Sequence, residues 1–183
     1  LVAIVDRDDC PDEYVEKLIR QGVFVLRVSE LEALFCLQAV VAAAAKHLGV
    51  AKEGGLLAAL QIAAKKRIGG ALLQRLALER TKRALRHRLA AVIDRVKPAA
   101  TDEAIDASLA AATDPASWPF DAKTTLAAER TRLSAALTGD WDADILRLIP
   151  GKDVLDVVVR TLGISESVYK GIVIAALIQK EGY

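Results

Sequence analysis

The sequence lacks several features whose absence excludes whole classes of protein. It has no methionine, and only 4% of its 183 residues are aromatic, which disfavours nucleic-acid binding through base stacking. The 2 cysteines, Cys10 and Cys36, have no metal-binding spacing and imply no disulfide framework. No apolar run approaches the roughly 20 residues of a membrane helix, and no targeting segment is visible. We therefore expect a cytoplasmic protein that does not enter membranes.

The sequence also lacks an excess of charge of either sign. Its formal net charge is +1, so the chain as a whole is not a polyelectrolyte binder. The hydrophobic share of 53% is enough for a sizeable core. Because the chain begins at Leu1 inside an apparent strand and has no methionine, we expect it to be a piece of a longer protein.

The first 28 residues have the pattern of a strand, a helix and a second strand. Leu1–Val5 is a continuous aliphatic run, which is typical of a parallel strand buried on both faces. A helix is predicted from Pro11 to Gly22, since proline favours the first helical position and glycine favours the end. Val23–Val28 is the second predicted strand. A unit of this kind predicts parallel strands with a right-handed crossover.

The rest of the chain is predicted to be helical. Ser29 and Glu32 have the spacing of a capping box, which predicts a helix from Ser29 to about Leu48. Further helices are predicted at Val154–Leu162 and from about Ser165 to Lys180. The predicted fold class is α/β, a partial parallel sheet with a large all-helical subdomain and a predominantly helical chain overall. The predicted segments are 1–50 in the α/β part, 51–148 in the helical subdomain, and 149–183 in a helical segment packing back on the first.

Acidic residues follow the first strand directly. Asp6 and Asp8 share a face if the extended backbone continues, and they lie past the carboxyl end of a parallel strand, where open α/β sheets bind ligands. Two carboxylates at such an edge suit Mg²⁺ or Mn²⁺. The alternative is that Asp8 or Asp9 only caps the following helix. A cap explains one carboxylate of the three and leaves the others unexplained.

Two later acidic residues, Glu32 and Glu30, are candidates for the same edge. Glu32 follows the second strand, as does Glu30, although a capping box would explain Glu32 structurally. Lys152 belongs to a Pro-Gly-Lys sequence that lacks the rest of a P-loop motif. A lysine at a helix start is electrostatically unfavourable, which indicates an anionic partner, although a solvated side chain is an alternative.

Basic residues are concentrated in one helical stretch. Between Lys65 and Lys97 there are 11 Lys or Arg residues against 2 acidic ones. Such a surface could contact a nucleic-acid backbone, and we expect Lys82, Arg83 and Arg86 to do so. The alternative is a solvated face, or one that pairs with the acidic residues between Asp102 and Asp121.

The sequence VAIVDRDD, followed by a helix and VFVLRVSELEALF, resembles the C-terminal part of a Toprim domain. The resemblance is to the variety of Toprim domain that is attached to an ABC-type ATPase in OLD-like nucleases of the phage-defence type. The more divergent members of this family carry a Pro-Gly-Lys element after a helical stretch. The sequence IPGKDVLDVVVRTLG is similar to that element. The resemblance covers about 35 residues at the N-terminus and about 15 near Pro150.

The resemblance implies specific roles for four residues. Asp6 and Asp8 would be the metal-binding pair, Glu32 a later acidic ligand, and Lys152 a stabiliser of the scissile phosphate. The implied function is Mg²⁺- or Mn²⁺-dependent endonuclease activity, with ATP used only by a separate ATPase domain in cis or in trans. A homo-oligomer is also implied. The family's earlier Glu-bearing strand is not part of this sequence, and we expect it in a missing N-terminal part together with the ATPase. Ala33 stands where the family often has Asn.

Two other hypotheses remain from the sequence. The departures from the family pattern favour a degenerate Toprim-like domain with a regulatory or docking role. The start of the chain is also similar to a phosphoacceptor receiver domain, whose acidic pair binds Mg²⁺. A receiver needs further strands within the next 80 residues or so, where this sequence has a helical pattern.

Overall fold

The computed structural model describes residues 4–5, 12–50, 55–94, 96, 101–114 and 120–181, and most of these lie in helices. A 3₁₀ helix spans Leu31–Cys36 and a π-helix spans Trp141–Ile145. The strands and α-helices, in chain order, are β1 Ile4–Val5, α1 Asp12–Arg20, β2 Phe24–Val25, α2 Gln38–His47, α3 Leu56–Ile68, α4 Ala71–Ile93, α5 Asp102–Thr113, α6 Ala122–Ala136, α7 Leu146–Leu148, α8 Gly151–Leu162 and α9 Glu166–Glu181.

The first described elements form a strand, a helix and a second strand. β1 pairs with β2 in parallel, with Ile4 opposite Phe24 and Val5 opposite Val25. α1 ends at Arg20, and Gly22 then adopts a φ of +79°, a conformation that glycine takes without steric cost. The chain can therefore reverse within a few residues and enter β2.

The segment after β2 differs from the prediction made for it. The capping box does not form, because Ser29 donates its hydroxyl to the carbonyl oxygen of Ile149 and no side chain caps the 3₁₀ helix. The predicted continuous helix to Leu48 is also wrong. The chain instead leaves the 3₁₀ helix at Leu37 and begins α2 at Gln38, whose backbone N–H donates to Asp142 Oδ1 at 2.9 Å.

The chain divides into two compact units, the first formed by residues 1–72 and 133–183. α8 lies at its centre and packs against the 3₁₀ helix, α3 and α9. Two large buried side chains anchor the 3₁₀ helix by hydrogen bonds: Trp141 Nε1 donates to Cys36 O at 2.8 Å, and the Tyr169 hydroxyl donates to Phe35 O at 2.6 Å. The buried apolar residues of α8 are Val154, Leu155, Val157, Val158, Val159 and Leu162.

The second unit comprises residues 73–132, and its described residues are helical except at the connections. Thr101 caps α5 by accepting from the Ala104 N–H. Asp121 caps α6 by accepting from the N–H groups of Lys123 and Thr124 at 2.9 and 3.1 Å. These caps satisfy backbone donors that the first turn of a helix leaves unpaired.

The predominantly helical character predicted from the sequence is confirmed. Among the described residues the sheet is a single parallel pair of two-residue strands, and a Toprim-like sheet is not shown. α3 belongs to the first unit with α8, while the predicted division at residues 50 and 148 stays a prediction. Within the described part of the chain, no helix is both long enough and apolar enough to span a bilayer.

Candidate functional site

The first part of the candidate site is the edge of the sheet where the parallel strands β1 and β2 end. β1 ends at Val5 and β2 at Val25, directly opposite one another in the ladder. The carboxyl ends of parallel strands meet at one edge of a sheet, where α/β proteins bind ligands. Asp6 and Asp8 follow β1 in the sequence but lie outside the described residues, so their predicted role as a metal-binding pair stays a prediction.

Ser29 connects the segment after β2 to a distant part of the chain. Its backbone N–H donates to Leu146 O at 2.8 Å, and its Oγ donates to Ile149 O at 2.7 Å. The residue is only 5% exposed, so both hydrogen bonds lie in a desolvated environment, where loss of a partner is costly. Residues 29–33 are thereby held against residues 149–152, and we call this contact the junction.

Gly151 makes the closest approach in the junction. A Cβ built on Gly151 would lie 3.0 Å from the carbonyl carbon of Glu32 and 3.1 Å from Cα of Ala33, and closer still to the Ala33 nitrogen. The Cys36 Sγ also lies 4.0 Å from the Gly151 carbonyl oxygen. Only glycine fits at this position without displacing backbone. The structure therefore brings Glu32 and the start of α8, which carries Lys152, into one place.

Lys152 and Glu32 differ in exposure. Lys152 is exposed on the first turn of α8, while Glu32 is half-buried in the 3₁₀ helix. Within the described part of the chain, no side chain or N–H donates a hydrogen bond to the Glu32 carboxylate. The Glu32 backbone carbonyl accepts from the Cys36 thiol. The carboxylate oxygens thus keep lone pairs available for a ligand.

Lys170 supplies positive charge near Glu32. Its Nζ lies 2.6 Å from Glu166 Oε1 and 5.7 Å from the centroid of the Phe35 ring. The hydrogen bond to Glu166 raises the pKa of the Lys170 ammonium, and the negative charges of Glu166 and Glu32 raise it further. Glu32 is therefore electrostatically coupled to a cation already present in the fold.

Asp153 is a second carboxylate in the first turn of α8, two residues after Gly151. Its Oδ2 is buried and has no hydrogen-bond partner among the described residues. A buried carboxylate oxygen without a donor is costly, and a bound cation would relieve that cost. Asp153 and Glu32 are hard oxygen donors of the kind that Mg²⁺ and Mn²⁺ prefer. In the described part of the chain, however, no group of 3 or more His, Cys, Asp or Glu residues could hold a metal ion by itself.

Three features of the site were not predicted from the sequence. The long-range hydrogen bonds of Ser29 were missed because its local sequence matched a capping box. Lys170 gave only the signal of a helical pair with Glu166, four residues earlier. Asp153 is an ordinary acidic residue for the first turn of a helix, and its unpartnered oxygen becomes visible only in the tertiary structure.

The basic helical residues expected to bind nucleic acid lie in the second unit. Lys82, Arg83 and Arg86 are exposed on α4, as is Arg75 about two to three turns earlier. Glu79 lies among them and receives a hydrogen bond of 2.9 Å from Lys82 Nζ. This hydrogen bond lowers the pKa of Glu79, and the charges of Lys82, Arg86 and Arg75 lower it further.

Comparison with known proteins adds no assignment: no family model, no curated protein and no solved structure matches this chain.

Proposed function

We propose that this chain is the metal-dependent, phosphodiester-cleaving part of a Toprim-like nuclease that is linked to an ATPase. The single observation that supports the proposal most is the junction. The resemblance assigns Glu32 and Lys152, more than 100 positions apart, to one site, and the fold packs the backbone of Gly151 directly on that of Glu32. An acidic and a basic residue at adjoining helix starts can serve a metal and a phosphate respectively.

Each residue has a stated role in the proposal. Glu32 and Asp153 supply oxygen ligands, and Asp6 and Asp8 supply the others from the end of β1. The exposed ammonium of Lys152 offsets the negative charge that develops on the phosphodiester oxygens. A bound Mg²⁺ or Mn²⁺ would polarise the phosphoryl oxygen and lower the pKa of the attacking water. An ATPase domain in cis or in trans, a homo-oligomeric state and a cytoplasmic location belong to the same proposal.

Isothermal titration calorimetry with Mn²⁺ tests the metal site. We expect the chain to bind Mn²⁺ and the variants Asp6→Asn, Glu32→Gln and Asp153→Asn to bind it at least about tenfold more weakly. Glu16→Gln removes an exposed carboxylate from α1 and serves as the matched control. If Mn²⁺ binding is absent, or is equally strong in all variants, the metal site does not exist.

Nicking of supercoiled plasmid by the full-length protein tests the role of Lys152. We expect Lys152→Gln to leave Mn²⁺ affinity unchanged and to slow nicking by about 10²-fold, because the lysine stabilises charge that develops in the reaction. Lys46→Gln, at the exposed C-terminal turn of α2, is the control. Equal nicking by both variants would remove Lys152 from the mechanism.

A degenerate Toprim-like domain with a regulatory or docking role is the second candidate. It is favoured by Lys170, whose ammonium already supplies positive charge near Glu32. In that case the cation of Lys170 takes the place of the metal charge, and the calorimetric experiment should show no Mn²⁺ binding that depends on Asp6. Lys170→Gln would then destabilise the fold without creating or improving metal binding.

A further inference from the structure

The exposed side of α4 has an unusual concentration of positive charge. The helix contains 6 Lys or Arg residues and 1 Glu. Its buried side is formed by Leu73, Ala77 and Thr81. One of the six basic residues, Arg80, is nearly buried and pairs with Glu129 of α6. The other five are exposed.

Three of the basic residues share one face with Glu79. Arg75, Glu79, Lys82 and Arg86 follow one another at intervals of 4, 3 and 4 residues, the spacing at which side chains stack along one side of a helix. With a rise of about 1.5 Å per residue, the three cations extend over roughly 16 Å. That length is comparable with the distance spanned by several consecutive phosphates of a nucleic-acid backbone.

Glu79 is the only acidic residue within this basic face. Lys82 Nζ lies 2.9 Å from its carboxylate, and both side chains are about half exposed, at 49% and 56%. Arg75 and Arg86 act on the same carboxylate from the preceding and following turns. The carboxylate is therefore an internal anion surrounded by three cations at an accessible surface.

We propose that this basic face, formed by Arg75, Lys82, Arg83 and Arg86, binds the phosphate backbone of double-stranded nucleic acid, and that Glu79 occupies the place of a phosphate in the free protein. On binding, the Lys82 ammonium exchanges the Glu79 carboxylate for a phosphodiester oxygen. The inference extends the proposed nuclease by naming the surface that holds its substrate. It does not depend on the metal site.

The composition of α4 favours a duplex over other polyanions. The helix contains no Phe, Trp or Tyr, so it has no large aromatic platform on which the bases of a single strand could stack. A duplex carries one charge per roughly 1.7 Å of axis and is bound through its phosphates without base stacking. The large exposed apolar residues of α4 are Leu78, Leu89 and Ile93. Only Leu89 and Ile93 are neighbours on one side of the helix, which is too little for the continuous apolar face that inserts into lipid.

Fluorescence anisotropy with a labelled 20-base-pair DNA duplex, in EDTA, tests the proposal apart from any metal chemistry. With three to four phosphate contacts, we expect log Kd to change with log salt with a slope of magnitude about 3. Lys82→Gln and Arg86→Gln should each weaken binding about tenfold at low salt and reduce that slope by about 1. Arg88→Gln removes the same charge from another side of α4 and should have a much smaller effect.

The role of Glu79 has its own test. Glu79→Gln should tighten duplex binding about threefold, because the internal anion no longer competes for Lys82. Glu103→Gln removes an exposed acidic residue from α5 in the same unit and should leave the affinity nearly unchanged. Circular dichroism of each variant reports whether the helices are retained.

Three outcomes would overturn the inference. Equal losses in Arg86→Gln and Arg88→Gln would show that only net charge matters. Equal gains in duplex affinity in Glu79→Gln and Glu103→Gln would show that Glu79 acts only through net charge. Binding to vesicles containing phosphatidylserine, without binding to the duplex, would assign the face to a membrane surface instead. A change of anisotropy in metal-free buffer supports the duplex surface even if plasmid nicking fails.

Discussion

Ser29 donates a hydrogen bond of 2.7 Å from its Oγ to the carbonyl oxygen of Ile149, 120 positions later in the chain. The Ser29 N–H donates to Leu146 O in the same region. These two bonds replace the local helix cap that the sequence predicts. They connect the segment that follows β2 to the start of α8, and the candidate site depends on that connection.

Ser29→Ala should destabilise the first unit by about 1–3 kcal/mol. The substitution leaves the buried Ile149 carbonyl without its side-chain donor, and an unsatisfied buried acceptor costs about that much. Urea denaturation measures the difference. Ser167→Ala, which removes an exposed hydroxyl of α9, is the control and should change stability by less than about 0.5 kcal/mol. Equal effects would mean that the Ser29 hydrogen bond is not maintained in solution.

Gly151→Ala should destabilise the protein by about 1–3 kcal/mol although alanine is the better helix former. The added Cβ would collide with the backbone of Glu32 and Ala33, so the junction must open. Gly171→Ala is the matched control, because nothing lies within 4 Å of a Cβ at this helical position. It should stabilise by about 0.5–1 kcal/mol. Stabilisation by both substitutions would show that the junction is not closely packed.

Cys36 should be unreactive in the folded protein. The residue is fully buried, and burial raises the pKa of its thiol to about 12, against the smaller opposing effect of Lys170. At pH 8 only about one thiol in 10⁴ would be ionised, and the thiolate is the reactive form. In a Cys10→Ser background, reaction with Ellman's reagent should be very slow without urea and rapid in it. Fast reaction of the native protein would contradict the burial of Cys36.

Asp156 should make stability depend on acid pH. Burial opposes its ionisation, but hydrogen bonds from Arg160, at 2.8 Å, and from Arg67 lower the pKa of Asp156 below its ordinary value of 3.8. The folded state therefore binds this proton less readily than the unfolded state, and the contribution to stability is fully present above pH 3.8. It is lost as the pH falls through the lowered pKa.

The comparison of wild type with Asp156→Asn measures this contribution. Because the carboxylate is partly exposed, the free energies of unfolding should differ by less than about 1 kcal/mol at pH 7. The difference should shrink as the pH falls below 3.8, measured by urea unfolding at each pH. A difference that stays constant over that range would show that the ion pairs with Arg67 and Arg160 do not stabilise the fold.

Local structure was predicted well where a local pattern decided it. The prediction of a helix ending near Gly22 agrees with α1 and with the positive φ of that glycine. The predicted helix Val154–Leu162 is present and begins three residues earlier, at Gly151. The last predicted helix agrees with α9 to within one residue at each end. Helical periodicity and glycine at helix ends are short-range signals, so the helices that they predict form in the folded chain.

The candidate site was predicted only in its residue types. Glu32 and Lys152 belong to separate motifs, and only the resemblance to a Toprim domain assigned both to one site; no local pattern placed one beside the other. Lys170 and Asp153 gave no signal beyond ordinary helix chemistry. The predicted strand Val23–Val28 shortened to Phe24–Val25, because Ser29 and its neighbours turn to the start of α8 instead of continuing a ladder.

The amino-acid sequence by itself determined where helices form and where glycine ends them, and it determined the basic side of α4, because these depend on residues within a few turns of one another. Only the tertiary structure decided that Ser29 is an anchor and not a cap, and that Gly151 lies on the backbone of Glu32. Those contacts join residues more than 100 positions apart. Their partners are selected by the packing of α8 in the core, which no local pattern specifies.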